Sequence, residues 1–104
     1  RPWEIGKAFE RSAPMGSLTP MSEVGKMESG SIQLKVNGEV RQDGNLDMML
    51  WKIPEQIAIL SKFYDITAGD LIMTGTPAGV GPIVKGDKLV GTIDGLQTLN
   101  VEVV

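Results

Sequence analysis

The sequence predicts a β-rich α+β fold, because it combines two segments of alternating apolar and polar residues with one segment of helical spacing. Each alternating segment surrounds a turn, Asn37-Gly38 in the first and Asp94-Gly95 in the second. The helical spacing runs from residue 50 to residue 64. We therefore expect one helix among about five strands.

The first hairpin is predicted around Asn37-Gly38. Residues 31–36 alternate apolar with polar side chains, and residues 39–42 continue beyond the turn. Asn-Gly is typical of a type I′ turn, since both residues readily adopt the positive φ that this turn needs. The same reasoning predicts a second hairpin, with Asp94-Gly95 between two further alternating segments.

The helix is predicted from apolar residues that recur every three or four positions between Leu50 and Tyr64. Pro54 suits the first turn of a helix, where the backbone N–H has no intrahelical partner, so we place the start of the helix close to it. Met48-Met49 and Trp51 come just before this point. We interpret them as packing residues at the start of the helix.

Two segments are dense in prolines and glycines. In residues 1–30 this density predicts ordered loops with short strands. Further along, the apolar run Leu71-Ile72-Met73 leads into residues 74–82, which are again rich in glycine and proline. We expect a short buried strand that delivers a glycine-rich loop.

Composition and charge exclude several classes of protein. The net charge is −3 without any run of five like charges, so the chain lacks the basic footprint of a nucleic-acid-binding protein. It has no cysteine and no histidine, which rules out disulfides, a Ser-His-Asp triad and a histidine-ligated metal within it. No apolar stretch approaches the roughly 20 residues that cross a bilayer. We expect a soluble, cytoplasmic protein whose start at Arg1, without a targeting pattern, is artificial or internal.

The glycine-rich loop and Lys7 are the first candidates for chemistry. Glycines can let backbone N–H groups approach an anion, but this loop lacks the Walker and GxGxxG patterns, and a plain connecting loop is the simpler explanation. Lys7 lies between Trp3 and Phe9, which could partly desolvate its ammonium group and steady its direction. A positioned lysine stabilises an enolate or a carboxylate, although most lysines are solvated surface groups.

The acidic residues do not predict a metal site. There are 13 of them, but none forms a Glu-x-Glu pair. A magnesium or calcium site needs oxygen ligands that converge on one point. We interpret Asp43, Asp47, Asp65 and Asp70 as capping, turn or solvated residues.

Four segments, in this order, resemble the fumarylacetoacetate hydrolase family: Gly6-Lys7-Ala8-Phe9, residues 34–42, residues 69–81 and Gly86-Asp87. The third is the most specific, and the resemblance runs from residue 1 to residue 104. It is closest to the small single-domain branch, which contains acylpyruvate hydrolases, oxaloacetate decarboxylases and the isomerases and decarboxylases of aromatic catabolism.

The resemblance implies a mixed β-roll that is incomplete here, with residues 1–104 as the carboxyl-terminal part of a single catalytic domain, usually dimeric. It also implies Mg²⁺ or Mn²⁺ held by two glutamates and an aspartate upstream of Arg1, where a His-Glu pair would activate water. Two family positions carry over. The family's lysine falls on Lys7, implied to be catalytic, and its Gly-Thr-Pro element places substrate-binding residues at Gly75 and Thr76.

On this resemblance we expect a metal-dependent enzyme that hydrolyses or decarboxylates a small 2-oxo acid, such as an acylpyruvate or oxaloacetate. We expect a homodimer that binds neither nucleic acid nor membranes, and we expect the isolated chain to be inactive. An isomerase of a hydroxymuconate-like diacid is the enzymatic alternative. A non-catalytic binding or assembly module is the other alternative, if the natural chain starts at Arg1.

Overall fold

The computed structural model describes residues 10–25 and 27–104. Within these residues the chain forms a four-stranded antiparallel sheet with few helical turns, in agreement with the β-rich composition predicted above. The strand order is β2-β1-β3-β4. The elements in chain order are α1 (Met21–Val24), β1 (Ser31–Val36), β2 (Glu39–Asn45), a 3₁₀ turn (Leu46–Met48), α2 (Ile53–Leu60), β3 (Lys88–Ile93) and β4 (Leu99–Glu102).

Strands β1 and β2 form the predicted hairpin. Asn37 and Gly38 have φ of 51° and 83°, the two positive values that a type I′ turn requires. Beyond the turn, Lys35 pairs with Val40 but Leu34 pairs with Gln42, so the intervening Arg41 is an extra residue on β2. This is a β-bulge, which changes the face on which the following side chains lie.

Strands β3 and β4 form the second predicted hairpin. Leu89 pairs with Val101, and residues 94–98 connect the two strands. Strand β3 also pairs with β1, with Ile32 opposite Ile93. The two hairpins therefore form one continuous sheet.

A side-chain network joins the first turn to the start of β3. Asn37 donates through Nδ2 to Asp87 at 2.9 Å and accepts through Oδ1 from the Lys88 N–H at 2.9 Å. The second carboxylate oxygen of Asp87 accepts from the Val84 N–H at 2.9 Å. The Val84 bond, then the Asn37 bond and the charge of Arg41, lower the pKa of Asp87 below its ordinary value of 3.8.

The predicted helix is present as α2. Pro54 occupies its first turn, as predicted, and the Glu55 carboxylate accepts from the Lys52 N–H at 2.9 Å. That bond satisfies one of the donors left free at a helix start. The α-helix ends at Leu60, and residues 61–64 continue as turns.

Two sequence predictions are wrong in detail. Residues 71–73 form no strand, and Leu71 and Met73 are 58% and 70% exposed. An apolar run becomes a buried strand only where other elements cover it, and the described part of the chain leaves these two side chains uncovered. Residues 10–25 and 27–30 likewise contain no strand; their regular element is the short helix α1.

The buried core is small and lies on β1, on β2 and at the 3₁₀ turn that follows β2. Among the described residues, the buried side chains are Val36, Leu46 and Gln42, exposed by 3%, 9% and 9%. Gln42 is thus a polar group placed where packing normally selects an apolar one. None of the helices in residues 10–25 and 27–104 has the length and apolar character needed to span a membrane.

Candidate functional site

Gly75 and Thr76 line an open cleft of about 490 Å³, a size typical of small-molecule sites. The predicted loop and the start of α2 share this cleft. Its other lining residues come from β1, the end of β2, the 3₁₀ turn and the segments on either side of the cleft: Ile32, Asn45, Leu46, Met48, Met49, Leu50, Trp51, Gln56, Thr74 and Pro77.

The segment from Asn45 to Gln56, which lines the cleft together with the loop, is held at both ends by hydrogen bonds between side chains and backbone. Asn45 Oδ1 accepts from the Asp47 N–H at 3.0 Å and from the Gly30 N–H at 3.1 Å, which caps the 3₁₀ turn. At the far end, Gln56 Nε2 donates to the Trp51 carbonyl at 2.8 Å. These bonds fix the segment that crosses from the sheet to α2.

Three apolar side chains on this segment line the cleft and are largely exposed. Met48, Leu50 and Trp51 are 67%, 95% and 54% exposed. Interpreting Met48 and Trp51 as packing residues at the start of the helix is therefore wrong. Met48, Leu50 and Trp51 lie between the hydrogen bonds of Asn45 and Gln56 and line the cleft.

The loop itself is fastened to β2 by one buried side chain. Gln42 Nε2 donates to Thr76 Oγ1 at 2.7 Å and to the Pro77 carbonyl at 2.7 Å. Further along, Gly79 has φ of 107° and passes against the Arg41 carbonyl, where a Cβ would collide. The loop needs its glycine here because both the backbone conformation and the available space exclude a side chain.

Sequence reasoning did not identify Gln42 as part of the site. It lies within the segment 34–42 that resembles the family, but a glutamine beside an exposed arginine in a strand looks like a solvated residue. The inward position of Gln42 results from the bulge before it, and the bulge is seen only in the strand pairing of the structure. The sequence alone therefore carried no signal for Gln42.

The predicted site residues divide into two groups. Gly75 and Thr76 lie together in the cleft, as a substrate-binding role would require. Lys7 lies outside the described residues. None of the described residues that line the cleft is ionisable. These groups can bind and orient a ligand, but proton transfer and charge stabilisation require other residues.

The acidic residues form no cluster suited to a metal. Among residues 10–25 and 27–104, no three His, Cys, Asp or Glu side chains converge on a point. Asp70 closes a turn by accepting from the Thr67 N–H at 2.9 Å, the kind of role expected for it. The described residues therefore do not fit a divalent-cation site.

Comparison with known proteins places the chain in a family. A sequence profile described as fumarylacetoacetate (FAA) hydrolase C-terminal matches residues 1–104. The chain belongs to the fumarylacetoacetate hydrolase family. This confirms the family that the four sequence segments predicted.

Two curated members of the fumarylacetoacetate hydrolase family illustrate the similarity. A fumarylpyruvate hydrolase of Ralstonia sp. is 43% identical over 103 residues, which is 99% of this chain and 53% of that protein. An oxaloacetate tautomerase of Escherichia coli K12 is 46% identical over 96 residues, which is 91% of this chain and 44% of that protein. The chain thus spans about half the length of the curated relatives it matches.

A solved structure shows the same backbone. The crystal structure of fumarylpyruvate hydrolase from Pseudomonas aeruginosa, in complex with Mn²⁺ and pyruvate, superimposes with a TM-score of 0.96 at 50% identity. The match covers 100% of this chain and 45% of that one. The four-stranded sheet and its loops therefore have the arrangement found in that hydrolase.

Proposed function

We propose that the natural polypeptide containing this chain cleaves a carbon–carbon bond in a small 2-oxo acid, by hydrolysis of an acylpyruvate or decarboxylation of oxaloacetate. In this proposal residues 1–104 are the carboxyl-terminal part of a single catalytic domain of β-roll type. The observation that carries it is the structural match of the whole chain to 45% of a hydrolase whose structure holds Mn²⁺ and pyruvate. The cleft beside Thr76 supports it, since its size suits a small acid.

The Gly75-Thr76 segment is proposed to bind the substrate carboxylate. Gly75 has φ of 102° and no heavy atom within 4 Å of the position that a Cβ would occupy. The backbone there is open to a ligand. The Thr76 hydroxyl and the nearby backbone N–H groups are neutral donors, and hydrogen bonds to an ionised acceptor are stronger than those between neutral groups.

Lys7 is proposed to supply the positive charge that the described cleft residues lack. Breaking the bond between carbons 3 and 4 of the 2-oxo acid leaves its electron pair on an enolate of carbons 2 and 3, whose negative charge a positioned ammonium group stabilises. We expect Lys7→Ala to lower kcat by about 100-fold or more, with the fold retained. Lys62→Ala, which removes an exposed lysine after α2, is the control and should leave kcat unchanged. Near-normal turnover by Lys7→Ala would eliminate the role of Lys7.

A divalent ion, Mg²⁺ or Mn²⁺, is part of the proposal through ligands outside this chain. The described residues do not form a site for it, and the ligands are proposed to precede Arg1. When bound, such an ion acts as a Lewis acid toward the keto and carboxylate oxygens. We further propose that the natural polypeptide is a cytoplasmic homodimer. Gel filtration would measure the mass of the dimer.

The similarity to an oxaloacetate tautomerase favours a second candidate, an isomerase that interconverts keto and enol forms or moves a double bond. The same oxyanion site would serve both reactions, because each passes through an enolate. What differs is whether water attacks the neighbouring carbonyl carbon. The residues that would activate water are proposed to precede Arg1, and the geometry of the cleft is compatible with both reactions.

Product analysis on the natural polypeptide tests the proposal. An acylpyruvate, oxaloacetate and a hydroxymuconate-like diacid are each supplied with Mg²⁺ or Mn²⁺, and pyruvate release is measured beside the enol absorbance. Hydrolysis should yield one pyruvate and one carboxylic acid for each acylpyruvate consumed. A change of enol absorbance without pyruvate release would instead identify the isomerase. Absence of both signals would favour a non-catalytic module.

A further inference from the structure

We propose that Gln42 is a positioning residue that makes the Thr76 hydroxyl a dedicated hydrogen-bond donor toward the substrate carboxylate. The inference rests on the proposed function, because it assigns a role within the same cleft. It adds a residue that does not line the cleft and acts on the ligand through Thr76.

The direction of the bond between Gln42 and Thr76 carries the argument. The amide nitrogen Nε2 has two hydrogens and no lone pair to accept with, so it can only donate. It reaches Thr76 Oγ1 and the Pro77 carbonyl, both at 2.7 Å, and these two acceptors use both hydrogens. The Thr76 oxygen is therefore the acceptor in this pair.

A threonine hydroxyl has one hydrogen and two lone pairs. Since Thr76 Oγ1 accepts from Gln42, its own hydrogen is left for a different partner. Thr76 lines the cleft, and in this inference the hydrogen is donated to a carboxylate oxygen bound there. An isolated hydroxyl rotates between donating and accepting, whereas this one is fixed as a donor before the ligand arrives.

The bulge at Arg41 places Gln42 on the required face of the sheet. Counting from the turn without a bulge, residue 42 would pair with Gln33, but the extra residue shifts its partner to Leu34. A shift of one residue moves a side chain to the opposite face. Gln42 consequently lies on the face of Leu34 and Val36, where it is buried behind the Thr76-Pro77 segment.

Burial of Gln42 makes the arrangement rigid. The residue is only 9% exposed, and a buried amide that loses its partners incurs an unfavourable desolvation free energy. The two acceptors on adjacent residues thus hold the amide, and the amide holds the loop. The Thr76 hydroxyl is thereby held against the sheet through Gln42.

A double-mutant cycle in the natural polypeptide tests the inference. The variants are Gln42→Met, which keeps the length of the side chain but removes the donor, Thr76→Val, and the combination. KM for an acylpyruvate, kcat and the inhibition constant of pyruvate are measured for each. We expect each single variant to raise KM and the pyruvate inhibition constant about 10-fold, with kcat less affected.

Residues that act as a unit give non-additive losses. The combined variant should therefore bind about as weakly as Thr76→Val alone, whereas independent roles would multiply to about 100-fold. Gln97→Met, at an exposed position in the β3–β4 connection, is the matched control and should resemble the wild type. Multiplying losses, or unchanged binding by Gln42→Met, would overturn the inference.

Gln42→Glu decides the matter if Gln42→Met does not fold. The carboxylate has nearly the same shape but only accepts hydrogen bonds, so it would take the hydrogen of Thr76 away from the ligand. Pyruvate binding should weaken by about 10-fold or more, and retained wild-type affinity would refute the donor role.

The wild type separates failure of the inference from failure of the proposed function. A wild type without turnover on any 2-oxo acid would overturn the proposed function, and this inference with it. An active wild type with unaffected variants would overturn the inference alone.

Discussion

Gly79 shows how closely the loop after Thr76 lies against the sheet. Its backbone passes the carbonyl of Arg41, the bulged residue of β2, at a distance that admits no side chain. The φ of 107° independently favours glycine. Gly79 thus packs against the bulge at Arg41, and the same bulge places Gln42 beneath the loop.

We predict that Gly79→Ala destabilises the protein more than a glycine substitution that changes the conformation alone. Gly86→Ala is the matched control, since Gly86 has φ of 92° but no heavy atom within 4 Å of its Cβ position. The control should lose about 1–2 kcal/mol from the strained φ. Gly79→Ala should lose about 1–3 kcal/mol more, because Arg41 must also move.

Urea unfolding of both variants in the natural polypeptide measures this difference. The pyruvate inhibition constant, measured in parallel, should rise for Gly79→Ala, because displacing the loop moves Thr76. Equal stability losses for the two variants would show that the Arg41 contact is easily relieved.

Single residues differ in how far the sequence reveals them. Gly75 and Thr76 were predicted through a motif that is specific because several fixed residues recur in order, and both line the cleft. Gln42 was missed because its role depends on a register shift of one residue, which alternating apolar and polar residues do not encode. Trp51 was misjudged because aromatic residues favour burial in general, whereas the described residues leave this one 54% exposed.

At the scale of elements, the network of Asn37 and Asp87 joins the two hairpins at one end of the sheet. Asn37 belongs to the turn of the first hairpin, and its side chain completes the pairing at the start of β3. Asp87 accepts from both Asn37 and Val84 in its ionised form. These bonds favour the carboxylate over the carboxylic acid, which is why its pKa is lowered.

This network predicts an acid-sensitive contribution to stability. Because the pKa of Asp87 is lower in the folded state than the ordinary value of 3.8, folding favours the ionised form. The contribution is complete above about pH 4 and is lost as the pH falls through the folded-state pKa. Asp87→Asn removes the titrating group, so the variant should be less stable at pH 6 but lose less than the wild type on acidification.

Urea midpoints at pH 6 and pH 3 check the sign. Asp65→Asn, at an exposed position after α2, serves as the control for removing one negative charge. If Asp87→Asn and the wild type lose the same stability between the two pH values, the network does not provide the expected proton linkage.

Elements with their own local signal were predictable, and those that depend on distant partners were not. Asn37-Gly38 determines a turn by the conformational preferences of two adjacent residues, and Pro54 marks a helix start in the same local way. The only signal in residues 71–73 is that they are apolar, and this does not distinguish a buried strand from an exposed apolar loop. Their exposure is a property of the whole arrangement.

At the scale of the whole molecule, the described part of the chain leaves much apolar surface uncovered. Among residues 10–25 and 27–104, many large apolar side chains are exposed, including Leu18, Leu50, Phe63 and Val80, each at least 75% exposed. Two buried apolar side chains among the described residues make a small core for a sheet of this size.

The 104-residue chain expressed by itself should therefore self-associate and have a low free energy of unfolding. Where exposed apolar side chains of this number form contiguous patches, they mark surfaces that associate with another segment or subunit. We predict that the isolated chain binds the dye ANS strongly and elutes above its monomer mass in gel filtration. The natural polypeptide, if it carries the preceding part of the proposed catalytic domain, should bind little dye at the same concentration. Its added segment would cover the surface around Leu18, Leu50, Phe63 and Val80.

Replacing Leu50 and Phe63 with glutamine tests whether these side chains are covered by a specific segment in the natural polypeptide or only promote nonspecific association. In the isolated chain these changes should reduce dye binding and self-association, because they remove exposed apolar area without touching the buried core. In the natural polypeptide the same changes should instead lower the urea midpoint, because covered positions would then contain a polar group without a partner. An isolated chain that is monomeric, cooperative in unfolding and free of dye binding would contradict the prediction. It would also support the reading of these residues as a self-sufficient binding module.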